Sequence, residues 1–426
     1  MSGSADLLSQ IEKLHPRVID LSLGRMERLL AAMDHPERRL PPVIHVAGTN
    51  GKGSVIAFMR AILQAAGYRV QVFNSPHLVE FRERIRLSDG LIDEARLTEI
   101  LRRTHEANAG QEMTFFEFIT AAAFLAYAED RQGDVLLLET GLGGRLDSTN
   151  MVDQPAATVI TPISMDHMAF LGHSIPEIAA EKAGILKPGV PAIFAEQRDE
   201  AAKVLTACAD ELSAPVIRAG QDFSIDVETG VFRDAGGEVA ILRLGLPGAH
   251  QWGNAAVAVA TLRTLRGFSF TDDQIVQGLQ SAEWPARLQP LCWRGKPNLP
   301  ITLDGGHNQA AAGAMADWLR SENARDPRQT HLVLGLLDNR DPGDFLSAFA
   351  DLPVAVHAVP IEGHAAHAPE VIVRAAEDLG LTARVADTVP AALKNLPATD
   401  RALICGSLYL AGTVLADEDF GAVQTN

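Results

Sequence analysis

Val43-Ile44-His45-Val46-Ala47-Gly48-Thr49-Asn50-Gly51-Lys52-Gly53-Ser54 is the stretch on which the reading of this chain turns. Val43–Ala47 has the pattern of a strand. It runs into a glycine-rich turn, and residues 51–66 then have the pattern of a helix that stops at Gly67. Strand, glycine loop and helix in that order suit a phosphate group. Glycines let backbone N–H groups come close to phosphate oxygens, and the helix N-terminus adds partial positive charge. Lys52 supplies a full charge, and Ser54 can offer a hydroxyl to Mg²⁺. The spacing is not the common G-x-x-x-x-G-K-[ST], because Gly48 and Gly51 stand closer together and Gly53 separates Lys52 from Ser54. The plain alternative is a strand–helix turn that merely needs glycine.

Outward from this loop the first half alternates strands and helices. Residues 69–73, 134–138 and 156–161 read as strands and 114–130 as a helix. This βαβ rhythm predicts an α/β fold, a P-loop-type and mostly parallel sheet with helices on its faces. Strands buried on both sides explain the unbroken run Val135-Leu136-Leu137-Leu138. Residues 223–244 break the rhythm with short alternating segments, an antiparallel excursion. Helices follow at about 251–265 and 272–280. The helical pattern stops at Glu283-Trp284-Pro285-Ala286-Arg287, which places a domain boundary between 285 and 286. Beyond it the alternation restarts, with strands at Ile301–Leu303, 331–334, 354–359 and 402–405 and helices at 309–320 and after Pro369. Residues 286–426 are therefore expected to form a second, smaller, Rossmann-like α/β domain, with ligands at the strand ends and in the intervening cleft.

Composition sets the outer limits. A chain of 426 residues exceeds one ordinary core, and 47% apolar with 21% charged residues is usual for a soluble globular protein. The net charge of −17 argues against a nucleic-acid partner. Cys208, Cys292 and Cys405 are far apart, so neither a disulfide framework nor a thiolate metal site is expected, and a reducing cytosol fits. The stretch 1–10 is polar, with no basic segment ahead of an apolar run, and no apolar stretch approaches the ~18 residues of a membrane span. A cytoplasmic protein without a membrane partner, monomeric, is the expectation.

Several strand ends carry candidate chemistry. Glu139 closes a buried strand ahead of Thr140-Gly141-Leu142-Gly143-Gly144-Arg145-Leu146-Asp147-Ser148-Thr149-Asn150. A carboxylate there can ligate Mg²⁺, or the segment is simply a capped turn. His167, after Asp166, could ligate a metal, although hard cations prefer oxygen. Lys182 lies on a largely apolar helix, where a lysine usually snorkels to the surface. Arg82, Arg84 and Arg86 alternate after Ser75-Pro76-His77-Leu78, so in a strand they would share one face, either a solvated edge or a carboxylate-binding surface. In the second domain Asp304 and His307 could contact a nucleotide, or Asp304 caps the following helix. His357, His364 and His367 show no metal spacing.

Taken in order, these segments resemble the dihydrofolate synthase/folylpolyglutamate synthase family of the Mur ligase superfamily. The resemblance runs over nearly the whole chain, through residues 45–54, 75–78 with Glu83-Arg84-Ile85, 114–120, 138–150, 166–167, 181–187, 304–308 and 406–410. It implies an ATP-binding, Mur-ligase-like domain at 1–285 and a glutamate-ligase domain at 286–426. It implies that Gly48, Thr49, Asn50, Gly51, Lys52, Gly53 and Ser54 hold ATP phosphates. Ser54 and Glu139 would bind one Mg²⁺, and Glu139, His167 and Ser75 a second. Lys182 matches a lysine that is carbamylated in the superfamily. Asn254, Arg287, Asp304 and His307 match the nucleotide site, the last two with Lys52 and Lys182 as catalytic groups. Phe116 and Asp147 match positions that hold the pterin in bifunctional members, and Arg84 falls in the substrate loop. Gly306, Gln309, Thr140 and Asn339-Arg340 depart from the alanine, proline, valine and lysine-aspartate of the family pattern. The implied reaction is activation of dihydropteroate or a folate carboxylate by ATP, then amide formation with L-glutamate. A Mur-type cell-wall ligase and a nucleotide switch without ligase chemistry are the alternatives.

Overall fold

Val43–Ala47 forms the first strand, β1, buried at every position. The computed structural model describes residues 3–13 and 20–422. Met1 and Ser2 of the polar N-terminal stretch, and 423–426 at the end of the second expected domain, lie outside the described residues. Around β1 gather β2 (Val70–Phe73), β3 (Ile85–Leu87), β4 (Gly90–Leu91), β5 (Val135–Glu139), β6 (Ala157–Ile160), β7 (Ala192–Phe194) and β8 (Val216–Arg218), in the order β4-β3-β2-β5-β1-β6-β7-β8. All neighbours from β2 to β8 pair in parallel, whereas β3 and β4 add an antiparallel hairpin at one edge. Val46 lies beside Glu139 and Ala47 beside Ile160, so the carboxyl ends of β1, β5 and β6 emerge side by side.

The three arginines do not share a strand face. Phe81–Arg84 is a 3₁₀ turn, and only Arg86 lies within β3. The cause is Glu83, whose carboxylate accepts from the amides of Leu78, Val79 and Glu80 and bends the chain before pairing begins.

The helix Phe115–Glu129 covers one face of this sheet. Thr114 and Glu117 form a capping box at its start, and Glu117 also pairs with Arg25 at 2.9 Å. The helix is apolar nearly all round because it is buried nearly all round. Phe118, Phe124 and Tyr127 fill the core, and Tyr127 Oη donates to the Val72 carbonyl at 2.7 Å. Truncating Phe124 to alanine would cost about 3–5 kcal/mol.

The antiparallel excursion is a three-stranded sheet of β9 (Phe223–Asp226), β10 (Val231–Asp234) and β11 (Gly237–Ala240). The described residues fall into two compact units. One holds residues up to Gly245 together with Trp252–Glu283, and the other holds Leu246–Gln251 with the chain from Trp284 onward.

The second unit is built on β12 (Gln289–Trp293), β13 (Ile301–Leu303), β14 (Thr330–Leu334), β15 (Val354–Ala358), β16 (Thr382–Val385), β17 (Arg401–Cys405) and β18 (Phe420–Ala422). Their order is β16-β15-β14-β17-β13-β12-β18, parallel from β16 to β13 and antiparallel at β12 and β18. Leu332, Leu334, Val356 and Leu403 pack against Ala312, Met315, Ala316 and Leu319 of the helix Gln309–Arg325. That helix outruns its expected end at 320, because no breaker stands before Pro327. Among the described residues no helix is long and apolar enough to cross a membrane.

Candidate active site

The loop after β1 is fastened to the loop after β6. The amides of Thr49 and Asn50 donate to the Pro162 carbonyl at 3.1 and 3.3 Å. Thr49 Oγ1 donates to the Ser164 carbonyl and accepts from the Ser164 amide, both at 3.1 Å, and Asn50 Nδ2 reaches Ser164 Oγ at 3.2 Å. Gly51 has φ +89°, and a Cβ there would lie 2.6 Å from Asn254 Oδ1, so Asn254 faces the loop from the helix His250–Thr264. Ser54 is buried on the first turn of the helix Lys52–Ala65, next to Gly53.

Two lysines converge on one carbonyl oxygen. Lys52 Nζ donates to Gly48 O at 3.2 Å, and Lys182 Nζ donates to the same atom at 3.0 Å. Lys182 is 4% exposed, so it is not the surface lysine that its helix suggested. Burial first, and the charge of Lys52 second, lower its pKa to about 7 against the opposing pull of Asp166 and Asp147. Glu139 is buried at the end of β5, with Oε1 3.9 Å from Lys52 Nζ and Oε2 3.4 Å from the Ser75 amide. His167 has φ +49° and donates its amide to Asp166 Oδ1 at 2.7 Å. Among the described residues no three His, Cys, Asp or Glu side chains gather to form a complete metal cage. The buried Glu139 carboxylate beside Ser75 and a phosphate loop nonetheless fits Mg²⁺, which takes one or two carboxylates and completes its shell with phosphate oxygens and water.

The loop after β5 packs against this centre. The Phe116 ring lies over Gly141, where any Cβ would fall 2.3 Å from its Cζ, and sits 6.1 Å from the Phe73 ring. Asp147 caps the turn Ser148–Met151. It accepts from the Leu142 amide at 2.7 Å, the Thr149 amide at 2.9 Å and Thr149 Oγ1 at 2.5 Å. Burial raises its pKa, and those donors oppose the rise. Asn150 Nδ2 bridges the carbonyls of Arg145 and Gly184 at 3.1 and 3.0 Å, and Arg145 pairs with Glu181 at 2.7 Å. The loop is thereby stapled to the helix Ile175–Ala183, which carries Lys182. Arg84 Nε donates to His77 Nδ1 at 2.9 Å, while its guanidinium stands 5.7 Å from the Phe81 ring centre. Burial, then Arg84, push the His77 pKa down to about 4.

In the second unit Asp304 does not cap the helix. Asn308 does, accepting from the Ala311 amide at 2.9 Å. Asp304 accepts instead from the amides of Leu288 and Gly306 at 2.8 and 2.7 Å, which fixes the turn after β13. His307 Nδ1 lies 3.1 Å from the Gly305 carbonyl, and Arg287 Nη1 donates to the Ala286 carbonyl at 2.9 Å. Sequence reading passed over Ser164, which latches the phosphate loop, and the buried pair His45 and Thr149. A lone strand histidine and a loop threonine carry no pattern of their own.

A phosphate loop at the head of a mostly parallel sheet, with a buried carboxylate and a buried lysine at neighbouring strand ends, belongs to a recognised class. The model of the Mur ligase middle domain matches residues 46–262, and that of the dihydrofolate synthetase C-terminal domain matches residues 293–417. The dihydrofolate synthase/folylpolyglutamate synthase of Bacillus subtilis is 35% identical over 79% of this chain and 80% of its own length. That of Escherichia coli is 34% identical over 97% and 95%. Among solved structures, E. coli FolC in complex with DHPP and ADP superposes with a TM-score of 0.87 at 32% identity, covering 97% of both chains. A bifunctional folylpolyglutamate synthase/dihydrofolate synthase with Mn, AMPPNP and L-glutamate bound gives 0.86 at 29% identity, covering 98% of both. The chain belongs to the dihydrofolate synthase/folylpolyglutamate synthase family, the folate branch of the Mur-type ATP-dependent ligases.

Proposed function

We propose that this protein is an ADP-forming ligase that joins L-glutamate to the carboxylate of dihydropteroate and of reduced folylglutamates. The observation that carries the reading is the pair of lysines on the Gly48 carbonyl, with Glu139 3.9 Å from Lys52. Such a centre offers lysine donors, beside the amides of the glycine loop, that a polyphosphate would engage. The names and bound molecules of the relatives supply the substrates: a folate precursor, a nucleotide and glutamate.

In this reading Lys52 and the amides of residues 48–54 hold the ATP phosphates, with Asn254, Arg287, Asp304 and His307 as further nucleotide contacts. Transfer of the γ-phosphoryl group to the substrate carboxylate gives an acyl phosphate, and the glutamate amine displaces phosphate to form the amide. Mg²⁺ held by Ser54, Glu139, Ser75 and His167 would supply charge neutralisation on the phosphate oxygens. Lys182 is suited to carbamylation. With a pKa of about 7 much of it is neutral amine at physiological pH, the form that attacks carbon dioxide and then loses a proton to leave an anionic carbamate. Phe116 offers a face for the pterin, Asp147 a carboxylate for its aminopyrimidine edge, and Arg84 a cation for a substrate carboxylate.

Release of ADP across a panel of dihydropteroate, reduced folates and muramyl substrates, each with its amino acid, tests the assignment. Turnover with both pterin substrates and glutamate is expected. Turnover confined to a muramyl substrate would reassign the chain to cell-wall chemistry. Hydrolysis without any amide product would make it a nucleotide switch. Asp147→Ala should depress the dihydropteroate reaction more than the folate reaction, and equal losses would return Asp147 to a purely structural role.

A further inference from the structure

His45 lies on β1, with none of its surface exposed. Its Nε2 is 2.8 Å from Thr149 Oγ1, and that hydroxyl is 2.5 Å from Asp147 Oδ1. Proton order along this line is determined. Asp147 already receives the amides of Leu142 and Thr149, so its carboxylate is the acceptor and the single threonine proton points to it. The threonine oxygen must then accept from His45, which places the imidazole proton on Nε2 and leaves Nδ1 as an acceptor. Nδ1 is buried and has no hydrogen-bond partner. Burial, with the charge of Lys187 nearby, pushes the pKa of this ring down to about 3, so the ring stays neutral.

An unsatisfied buried nitrogen is a standing cost to the fold. Valine or isoleucine would suit a position enclosed in a parallel sheet, so packing does not explain this side chain. The bond to Thr149 does. We propose that His45 and Thr149 are positioning residues that hold Asp147 in one orientation for the pterin of dihydropteroate. The inference rests on the function proposed above, in which Asp147 meets the pterin.

The geometry gives the relay its specificity. Thr149 occupies Oδ1 of Asp147 with both its amide and its hydroxyl, so the carboxylate cannot rotate about its bond to Cβ and Oδ2 stays on the Leu142 side. The same strand that carries His45 runs directly into Gly48 and Lys52. One rigid element therefore sets both the phosphate loop and, through Thr149, the group assigned to the pterin. Dihydropteroate carries its reacting carboxylate at a fixed distance from its pterin and depends on that separation. A folylglutamate reacts through a flexible tail and tolerates a displaced pterin.

Steady-state kinetics of Thr149→Val, Thr149→Ser, His45→Leu and His45→Gln, beside Asp147→Ala, test the relay. Thr149→Val should raise KM for dihydropteroate about tenfold, the size of a lost hydrogen bond to a charged group. KM for ATP and the folate reaction should stay within about twofold of wild type. Thr149→Ser and His45→Gln keep the required donors and should restore the dihydropteroate KM, whereas His45→Leu should follow Thr149→Val. Should a histidine variant fail to fold, the threonine pair decides alone. An unchanged dihydropteroate KM in Thr149→Val, while Asp147→Ala is impaired, overturns the relay and leaves the proposed function standing. So do equal losses on both substrates and ATP in Thr149→Val with no recovery in Thr149→Ser. A wild-type enzyme inert towards dihydropteroate removes the relay and the dual-substrate reading together.

Discussion

Each unit contains a cluster of polar side chains, and the two are completed differently. In the second unit Asp400 Oδ2 lies 2.9 Å from His331 Nε2, His331 Nδ1 lies 2.9 Å from His357 Nε2, and Arg384 Nε donates to His357 Nδ1 at 3.0 Å. Arginine can only donate, so both histidines are neutral with their protons on Nε2, and the row runs from cation to anion with every contact satisfied. In the first unit Lys52 and Lys182 share one neutral carbonyl oxygen, and Glu139 stands at the limit of ion-pair range from Lys52. The fold balances its own charge in the second unit. At the head of the first sheet two lysine amines crowd onto a single carbonyl acceptor, and burial weakens the hold of Lys182 on its proton. A row in which every donor meets its own acceptor fits a structural role, whereas donors crowded on one acceptor keep hydrogen-bonding capacity for a ligand.

The largest effect that would break this contrast is loss of the phosphate contact. Lys52→Ala should lower kcat for ADP formation by about 10²–10³-fold, ~3–4 kcal/mol of transition-state stabilisation, with an unaltered melting curve. Wild-type turnover in the folded variant would show that Lys52 makes no phosphate contact that matters.

Lys182→Met sharpens the comparison, because activity and stability should move in opposite directions. The variant should be inactive. The folded pKa of Lys182, about 7, lies below its ordinary 10.5, so between those values the unfolded chain binds more protons than the native one. The burden of burying this lysine is therefore complete below pH 7 and fades as pH rises to 10.5. Urea melts should find Lys182→Met more stable than wild type at pH 7, with the gap closing by pH 10. A variant no more stable at pH 7 would mean that Lys182 is already compensated.

Glu139→Gln keeps the shape of the side chain and removes its charge. The Mg²⁺ concentration for half-maximal activity should rise at least about tenfold, read from a metal titration of ADP release. An unchanged titration curve would move the metal elsewhere.

The smallest effect belongs to the closed cluster. Burial first, then Arg384 and His331, hold His357 at about 4, below its ordinary 6.5. Its contribution to stability is whole above pH 6.5 and is lost as pH falls through 4. His357→Gln should therefore lose less stability than wild type between pH 6.5 and 4, with kcat at pH 7.5 unaffected. A matching pH slope in both proteins would mean that the row does not sense protons.

Much of this was legible in the chain itself. The strand at Val43–Ala47, the capped helix after Thr114 and the antiparallel excursion after Phe223 follow from local pattern, because caps, glycines and apolar runs act on near neighbours. The helices Glu94–Asn108 and Asp199–Glu211 passed unread, although Asp93 caps the first and each buries one face at helical spacing. The segment Leu246–Gln251 joins the second unit although the chain on both sides of it belongs to the first. A Cβ at Gly248 would fall 3.0 Å from Leu288, a proximity that sequence distance hides.

Sequence by itself determined which groups this protein owns: a glycine loop with Lys52, a carboxylate at Glu139, a lysine at Lys182, and their places at the ends of strands or on a helix. Periodicity and backbone propensity are local, so the order of residues is enough to state them. Tertiary structure alone decided what state those groups are in. Lys182 reads as a surface lysine until burial and Lys52 weaken its hold on a proton, and Arg84 reads as part of a strand until Glu83 bends the chain. His45 is read only as part of the strand leading to the phosphate loop until its nitrogen meets Thr149, which lies far along the chain. Desolvation, charge coupling and hydrogen bonding depend on distances in space, and those exist only once the chain has folded.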